Sequence, residues 1–232
     1  RNHSDKWLSG AGIGSGSNVS GETEINISGD SYDLSEFFDR GKNSSAAAGE
    51  AENDWEKTPD VDVNIAVNRL WTNTDVSVTG FAGSARLRNG VGVHEVHMIG
   101  NYDHNRSMNL KVDYVPRPNG EWLLSVSSNH AGNTLRFLRI YNDMHGGNLQ
   151  IEAKKGADGE FIGHAKIRDF SLHNTPLLAR LLTVASFSGM VDMLTGEGMT
   201  FSHFDAPFKY KNRILSVKSG KTYGNVVGLT FS

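Results

Sequence analysis

From residue 61 onward, apolar and polar residues alternate with a period of two. Val61, Val63, Ile65 and Val67 fall on one side, and Asp62, Asn64 and Asn68 on the other. Val76 and Val78 alternate with Ser77 and Thr79; Met108, Leu110, Val112 and Tyr114 alternate with Asn109, Lys111 and Asp113. The pattern returns at Leu149, Ile151 and Ala153, set against Gln150, Glu152 and Lys154. It appears again at Phe161, Ala165 and Ile167, set against His164, Lys166 and Arg168. Strands with one dry and one wet face are the mark of antiparallel sheet. Between Val91/Val93 and Val96/Met98 the apolar register slips by one residue, which predicts a β-bulge near His94-Glu95. Asn89-Gly90, Pro116 to Gly120, Gly146-Gly147 and Asp158-Gly159 read as turns between the runs.

Two stretches depart from this alternation. Residues 132–142 place Leu135, Phe137, Leu138 and Tyr141 at helical spacing. Residues 176–195 follow Thr175, an N-cap residue type, and Pro176, which suits a first helical position because its missing N–H costs nothing there. Leu177, Leu178, Leu181, Val184 and Ala185 share one face; after Gly189 the apolar side moves to Phe187, Met190 and Leu194, and Gly196 closes the segment. Ahead of the alternating region, residues 1–58 form a Gly/Ser-rich and acidic loop region. It holds a short strand at Ile25 and Ile27 and one or two helical turns around Leu34, Phe37 and Phe38. Residues 41–59 are small, polar and acidic and read as a mobile loop. The fold class is therefore mainly β: an antiparallel sheet with one or two short helices in the C-terminal half.

Composition narrows the function. Net charge is −3, so the chain as a whole has no strong basic field to attract nucleic acid or anionic lipid headgroups. No cysteine is present, which removes disulfides, thiolate metal sites and thiol nucleophiles. No charge-free apolar run approaches the length of a membrane-spanning helix. The chain starts at Arg1 and ends within the β-like run of residues 226–231, so the polypeptide is expected to continue at both ends.

Catalytic signals are weak. His94 and His97 lie three apart with Glu95 between and His104 nearby, but on a strand those two positions face opposite sides unless a bulge re-aims one. No H-E-x-x-H pair is present. Ser186-Phe187-Ser188-Gly189 lacks the leading glycine of a nucleophile elbow, and the glycine-rich residues 10–16 lack the Lys-Ser/Thr ending of a phosphate loop. Asn18-Val19-Ser20 and Asn26-Ile27-Ser28 match the glycosylation sequon, which a bacterial protein generally leaves unmodified. No catalytic residue, metal ligand or cofactor is assigned, and the chain is expected not to be an enzyme.

An ordered series in the second half is more specific. His130-Ala131-Gly132 is followed by Leu135-Arg136 and Leu138, Gly146-Gly147-Asn148-Leu149, Gly163 to Ile167, and Asp169-Phe170. After these come residues 175–182 (TPLLARLL), 186–189 (SFSG), 196–201 (GEGMTF) and 206–208 (APF), then Gly224 and residues 228–230 (GLT). This order resembles the C-terminal region of AsmA-like bacterial envelope proteins, in particular the YhdP-like branch, over roughly residues 60–232.

The resemblance implies a curled, taco-like β-groove that conducts phospholipid through the periplasm between inner and outer membrane, in a protein anchored to the inner membrane outside this segment. It implies phospholipid acyl chains as ligand, outer-membrane or periplasmic proteins as further partners, and no cofactor.

On that reading Val61, Val63, Ile65, Val67, Val76, Val78, Leu110, Val112, Leu149, Ile151, Phe161 and Ile167 line the groove. Leu177, Leu181, Phe187, Met190 and Leu194 cap it or touch a membrane. The alternation itself fits a closed, core-filled sandwich equally well. The alternative function is then a non-enzymatic structural or interaction module that supports outer-membrane assembly.

Overall fold

The computed structural model describes residues 12–17, 23–35, 60–72, 75–102, 107–173, 198–212, 214–217, 220–224 and 228–231. The protein is mainly β, with one helix among the described residues. It divides into two compact units, residues 1–125 and 126–232. The expected mobile loop at 41–59 and the helical segment at 176–195 lie outside the described residues.

The first unit contains β1 (Gly12–Ser17), β2 (Thr23–Asp33), β3 (Val61–Trp71), β4 (Ser77–Arg88), β5 (Gly92–Asn101) and β6 (Asn109–Pro116), hydrogen-bonded in chain order. Neighbours are antiparallel except β2 and β3, which run parallel, with Ile25 opposite Val63 and Ile27 opposite Ile65. A parallel neighbour needs a connection long enough to carry the chain back to the same end, and residues 34–60 supply that length. β2 is longer than the short strand expected: it runs to Asp33, into residues 30–40, which the sequence reads as one or two helical turns. At its end Leu34 N–H donates to the Trp71 carbonyl, and Ser35 N–H donates to the Asp33 carboxylate at 2.8 Å.

The bulge expected near His94-Glu95 is present. Arg86 faces Glu95 but Leu87 faces Val93, so His94 is the extra residue. A second bulge, not foreseen, sits on β4: Thr79 faces Asn101 and Ala82 faces Ile99, leaving one residue over, and Gly80 takes φ +55°, which glycine adopts without strain. This slip changes what is buried. Val78 and Phe81, three apart, both pack against Gly100, where a Cβ would overlap the Val78 side chain. With Val67, Leu70 and Leu110 they form the core of this unit.

β7 (Trp122–Ser128) spans the division between units. The second unit then contains α1 (Ala131–Phe137), β8 (Met144–Lys155), β9 (Phe161–Leu172), β10 (Met199–Lys211), β11 (Ile214–Val217), β12 (Gly220–Gly224) and β13 (Gly228–Phe231). β8, β9, β10, β12 and β13 are successive neighbours; β11 pairs with the far part of β10.

Gly146-Gly147, expected as a turn, lies inside β8 instead. Gly147 takes φ +89°, and its bare Cα lets α1 and β9 close over the strand: a Cβ there would stand 3.0 Å from both Ala131 Cβ and Phe170 Cβ.

The helix is shorter than the expected 132–142. His130 caps its start, Nδ1 accepting from Asn133 N–H at 3.1 Å, and burial lowers the imidazole pKa, keeping that nitrogen an acceptor. Its end is a Schellman motif. Arg139 enters the left-handed region at φ +57°, its N–H donates to Arg136, and Ile140 N–H donates to Leu135, so Tyr141 falls outside the helix. The buried side of α1 presents Ala131, Gly132, Thr134 and Phe137. Beneath and beside it Leu149, Ile167, Phe170, Met199 and Phe201 make the core of this unit.

Candidate functional site

In the first unit the strand registers convert one-dimensional alternation into a two-dimensional surface. Residues directly opposite on paired strands project from the same face. One row runs Ile27, Ile65, Gly83, Met98, Val112 across β2 to β6, and the next runs Ile25, Val63, Ala85, Val96, Tyr114. Thr23, Val61, Leu87 and Val93 extend the surface by a third row, because the bulge at His94 returns Val93 to the dry side. Apart from buried Tyr114 and exposed Thr23 and Val93, the side chains of these rows are partly exposed, neither sealed in a core nor fully in water. Burial pushes the Tyr114 hydroxyl up to about 12, so it is neutral at any physiological pH.

The opposite face is polar and cross-linked. Asn64 donates to Asn26 at 3.1 Å and to Glu24 at 3.0 Å, Asn68 donates to Asp30 at 2.8 Å, and Arg86 donates to Glu95 at 2.7 Å. Arg88 pairs with Asp62 at 2.9 Å. A one-residue slip of any strand would put these groups on the apolar side, so the polar ladder holds the register that keeps the dry face dry.

His97 belongs to that ladder. Nδ1 contacts Asp113 at 2.8 Å and Nε2 contacts Glu95 at 2.9 Å. His94 points elsewhere: its ring meets Trp122 edge-on at 6.1 Å, and the Trp122 indole N–H donates to the His94 carbonyl at 2.9 Å. The bulge therefore separates the two histidines, and among the described residues no group of three or more His, Asp or Glu side chains is arranged to hold a metal ion. Hydrogen bonds donated to the Asp113 carboxylate and then to the Glu95 carboxylate raise the His97 pKa above its usual 6.5. A raised histidine pKa adds stability at low pH that is lost as pH rises through the folded value. NMR titration of the His97 ring is expected to give a midpoint above 6.5, moving down in Asp113→Asn; an unshifted midpoint in both proteins would show that the pairs do not persist in solution.

The residues expected to line a groove divide by environment. Val61, Val63, Ile65 and Val112 share the partly exposed face of the first unit, whereas Val67, Val76, Val78 and Leu110 are buried in its core, Val76 just ahead of β4. In the second unit Leu149 and Ile167 are buried, and Ile151 and Phe161 are partly exposed. There Ile151 faces Ala165, which faces Ala206, while Gly163 faces Phe208, so this unit too has an apolar row across β8, β9 and β10. Ile25, Ile27, Gly83, Ala85, Leu87, Val93, Val96, Met98 and Tyr114 also belong to the first unit's face and are not among the groove residues read from the sequence. The alternation at Ile25 and Ile27 was visible, and its partner strand was not. Leu177, Leu181, Phe187, Met190 and Leu194 lie outside the described residues.

The first unit's face is apolar in its described residues apart from Thr23 and the Tyr114 hydroxyl. It offers contact to something apolar, at about 25 cal/mol per Å² of apolar area covered. Comparison of the chain with protein-family models, curated proteins and solved structures finds no match.

Proposed function

We propose that the chain is a segment of a periplasmic bridge-like protein that moves phospholipid between inner and outer membrane, acyl chains sliding along the apolar sheet face. The observation that carries this reading is the continuous row Ile27, Ile65, Gly83, Met98, Val112 with its neighbours. It is apolar across five strands, backed by a polar face, and left partly exposed. Contiguous exposed apolar surface is costly in a soluble protein and marks a binding surface. Small residues at Gly83 and Ala85 keep the middle of the face shallow, which suits a flexible chain more than a shaped ligand. The ordered motifs of the C-terminal half, which resemble AsmA-like envelope proteins, support the same reading.

The second reading, a structural or interaction module, is favoured by the other unit. There α1, Phe170 and Phe201 fill the space over the sheet with a packed core.

Native mass spectrometry with lipid extraction, on protein purified gently from bacterial cells, separates the two. Near-stoichiometric phospholipid is expected with the native chain and little or none with Ile65→Asp or Met98→Asp. Both side chains are partly exposed, so the charge should be tolerated by the fold. A folded native protein that carries no lipid would overturn the conduit and leave the interaction module.

A further inference from the structure

The end of β10 and the short strand β11 form a hairpin whose composition differs from the rest of the chain. Residues 208–217, which make this hairpin, contain Lys209, Lys211 and Arg213 and no acidic residue, while the whole chain has a net charge of −3. Lys211 faces Ile214, Tyr210 faces Leu215 and Phe208 faces Val217, and Asn212 at φ +51° makes the turn. Large apolar side chains stand in solvent here: Ile214 is 65% exposed, Leu215 58% and Tyr210 40%. Ile214 and Leu215 are adjacent on a strand, so they project from opposite faces, and the hairpin offers apolar groups on both sides of the sheet. Lys209 and Lys211 reach Glu160 and Asp158 at 3.0 and 2.9 Å on the β8–β9 turn. Such exposed pairs hold weakly and exchange readily with other anions.

We propose that this hairpin is a membrane-contact element, with Tyr210, Ile214, Leu215 and Val217 entering the headgroup region of an anionic phospholipid bilayer and Lys209 and Lys211 meeting its phosphates. Charge selects this occupant. A cationic segment on a net acidic protein finds its complement in an anionic surface, and tyrosine and lysine beside aliphatic residues are what a bilayer interface accommodates. Apolar groups on both faces fit immersion better than docking of one protein surface, which would cover a single face. The inference does not rest on the lipid conduit, which uses another surface.

The test is sedimentation of the full chain with vesicles of phosphatidylglycerol and phosphatidylethanolamine, against vesicles of phosphatidylcholine alone. The native chain is expected to bind the anionic vesicles about tenfold more tightly, with the preference lost at roughly 1 M salt. Ile214→Asp with Leu215→Asp, and separately Lys209→Gln with Lys211→Gln, are each expected to weaken anionic binding about tenfold or more. None of these four side chains is buried, and exposed ion pairs contribute little, so thermal melts should shift only slightly. Because the chain has no cysteine, Ile214→Cys can carry a single polarity-sensitive fluorophore, whose emission should shift to the blue on anionic vesicles. Ile65→Asp should bind vesicles normally, and the hairpin variants should keep any co-purified lipid, so this proposal and the conduit can fail separately. Three results would overturn the inference: no vesicle binding by the native chain, binding untouched by either double variant, or a self-association of the chain that Leu215→Asp abolishes.

Discussion

Phe201→Ala is expected to destabilise the second unit by about 3–5 kcal/mol, the usual cost of emptying a buried phenylalanine site. Phe201 is 1% exposed and stacks on Phe170 with ring centroids 5.3 Å apart and planes inclined at 18°. Truncation removes that stacking, worth about 0.5–1.5 kcal/mol, together with the burial. It also opens a void that β9 and β10, hydrogen-bonded from Phe161/Tyr210 to Leu172/Met199, are poorly placed to close. The check is urea denaturation followed by circular dichroism, with Thr200→Ala as a control. Thr200 is the exposed neighbour on the same strand, and its loss should fall within about 0.5 kcal/mol. A Phe201→Ala cost near that of the control would mean that the aromatic pair is not a core in solution.

Gly132→Val is expected to cost about 3 kcal/mol or more, by a different route. A Cβ at position 132 would overlap the Met144 carbonyl oxygen and stand 3.1 Å from His145 Cα. The obstacle is backbone on both sides, so no side-chain rotation relieves it, and α1 must lift off β8. Lifting it exposes Ala131 and Phe137, whose burial is the reason that a helix of seven residues forms at all. The same urea titration applies, and Gly132→Ala should show a smaller loss of the same kind. A fully stable Gly132→Val protein would mean that the helix does not seat against β8 as described.

These two predictions mark the boundary between what was legible in the residues and what was not. The strands, their dry and wet faces and the bulge at His94 follow from local alternation, because side chains on an extended chain must point to opposite sides in turn. Val61, Val63, Ile65, Asp62 and Asn64 needed only that rule.

Three features were not. Gly146-Gly147 looked like a turn, since two glycines usually interrupt a strand; inside β8 they instead admit Ala131 and Phe170, which are contributed by other segments. The helix read as 132–142 stops at Phe137, because Arg139 turns left-handed and a Schellman pair of hydrogen bonds closes the end. The parallel pairing of β2 with β3 depends on where residues 34–60 return the chain, which periodicity cannot express.

Most consequentially, the alternation gave no means of separating Val63 and Ile65, left partly open, from Val67 and Val78, sealed in a core. The four share one sequence pattern. What distinguishes them is distance from the slip at Gly80, where Val78 and Phe81 crowd together over Gly100. The sequence alone determined which residues are apolar and which of them share a strand face, because that is a property of each side chain and the strand period. Only the tertiary structure decided which of them are covered, because coverage depends on segments distant in the chain arriving at the same place.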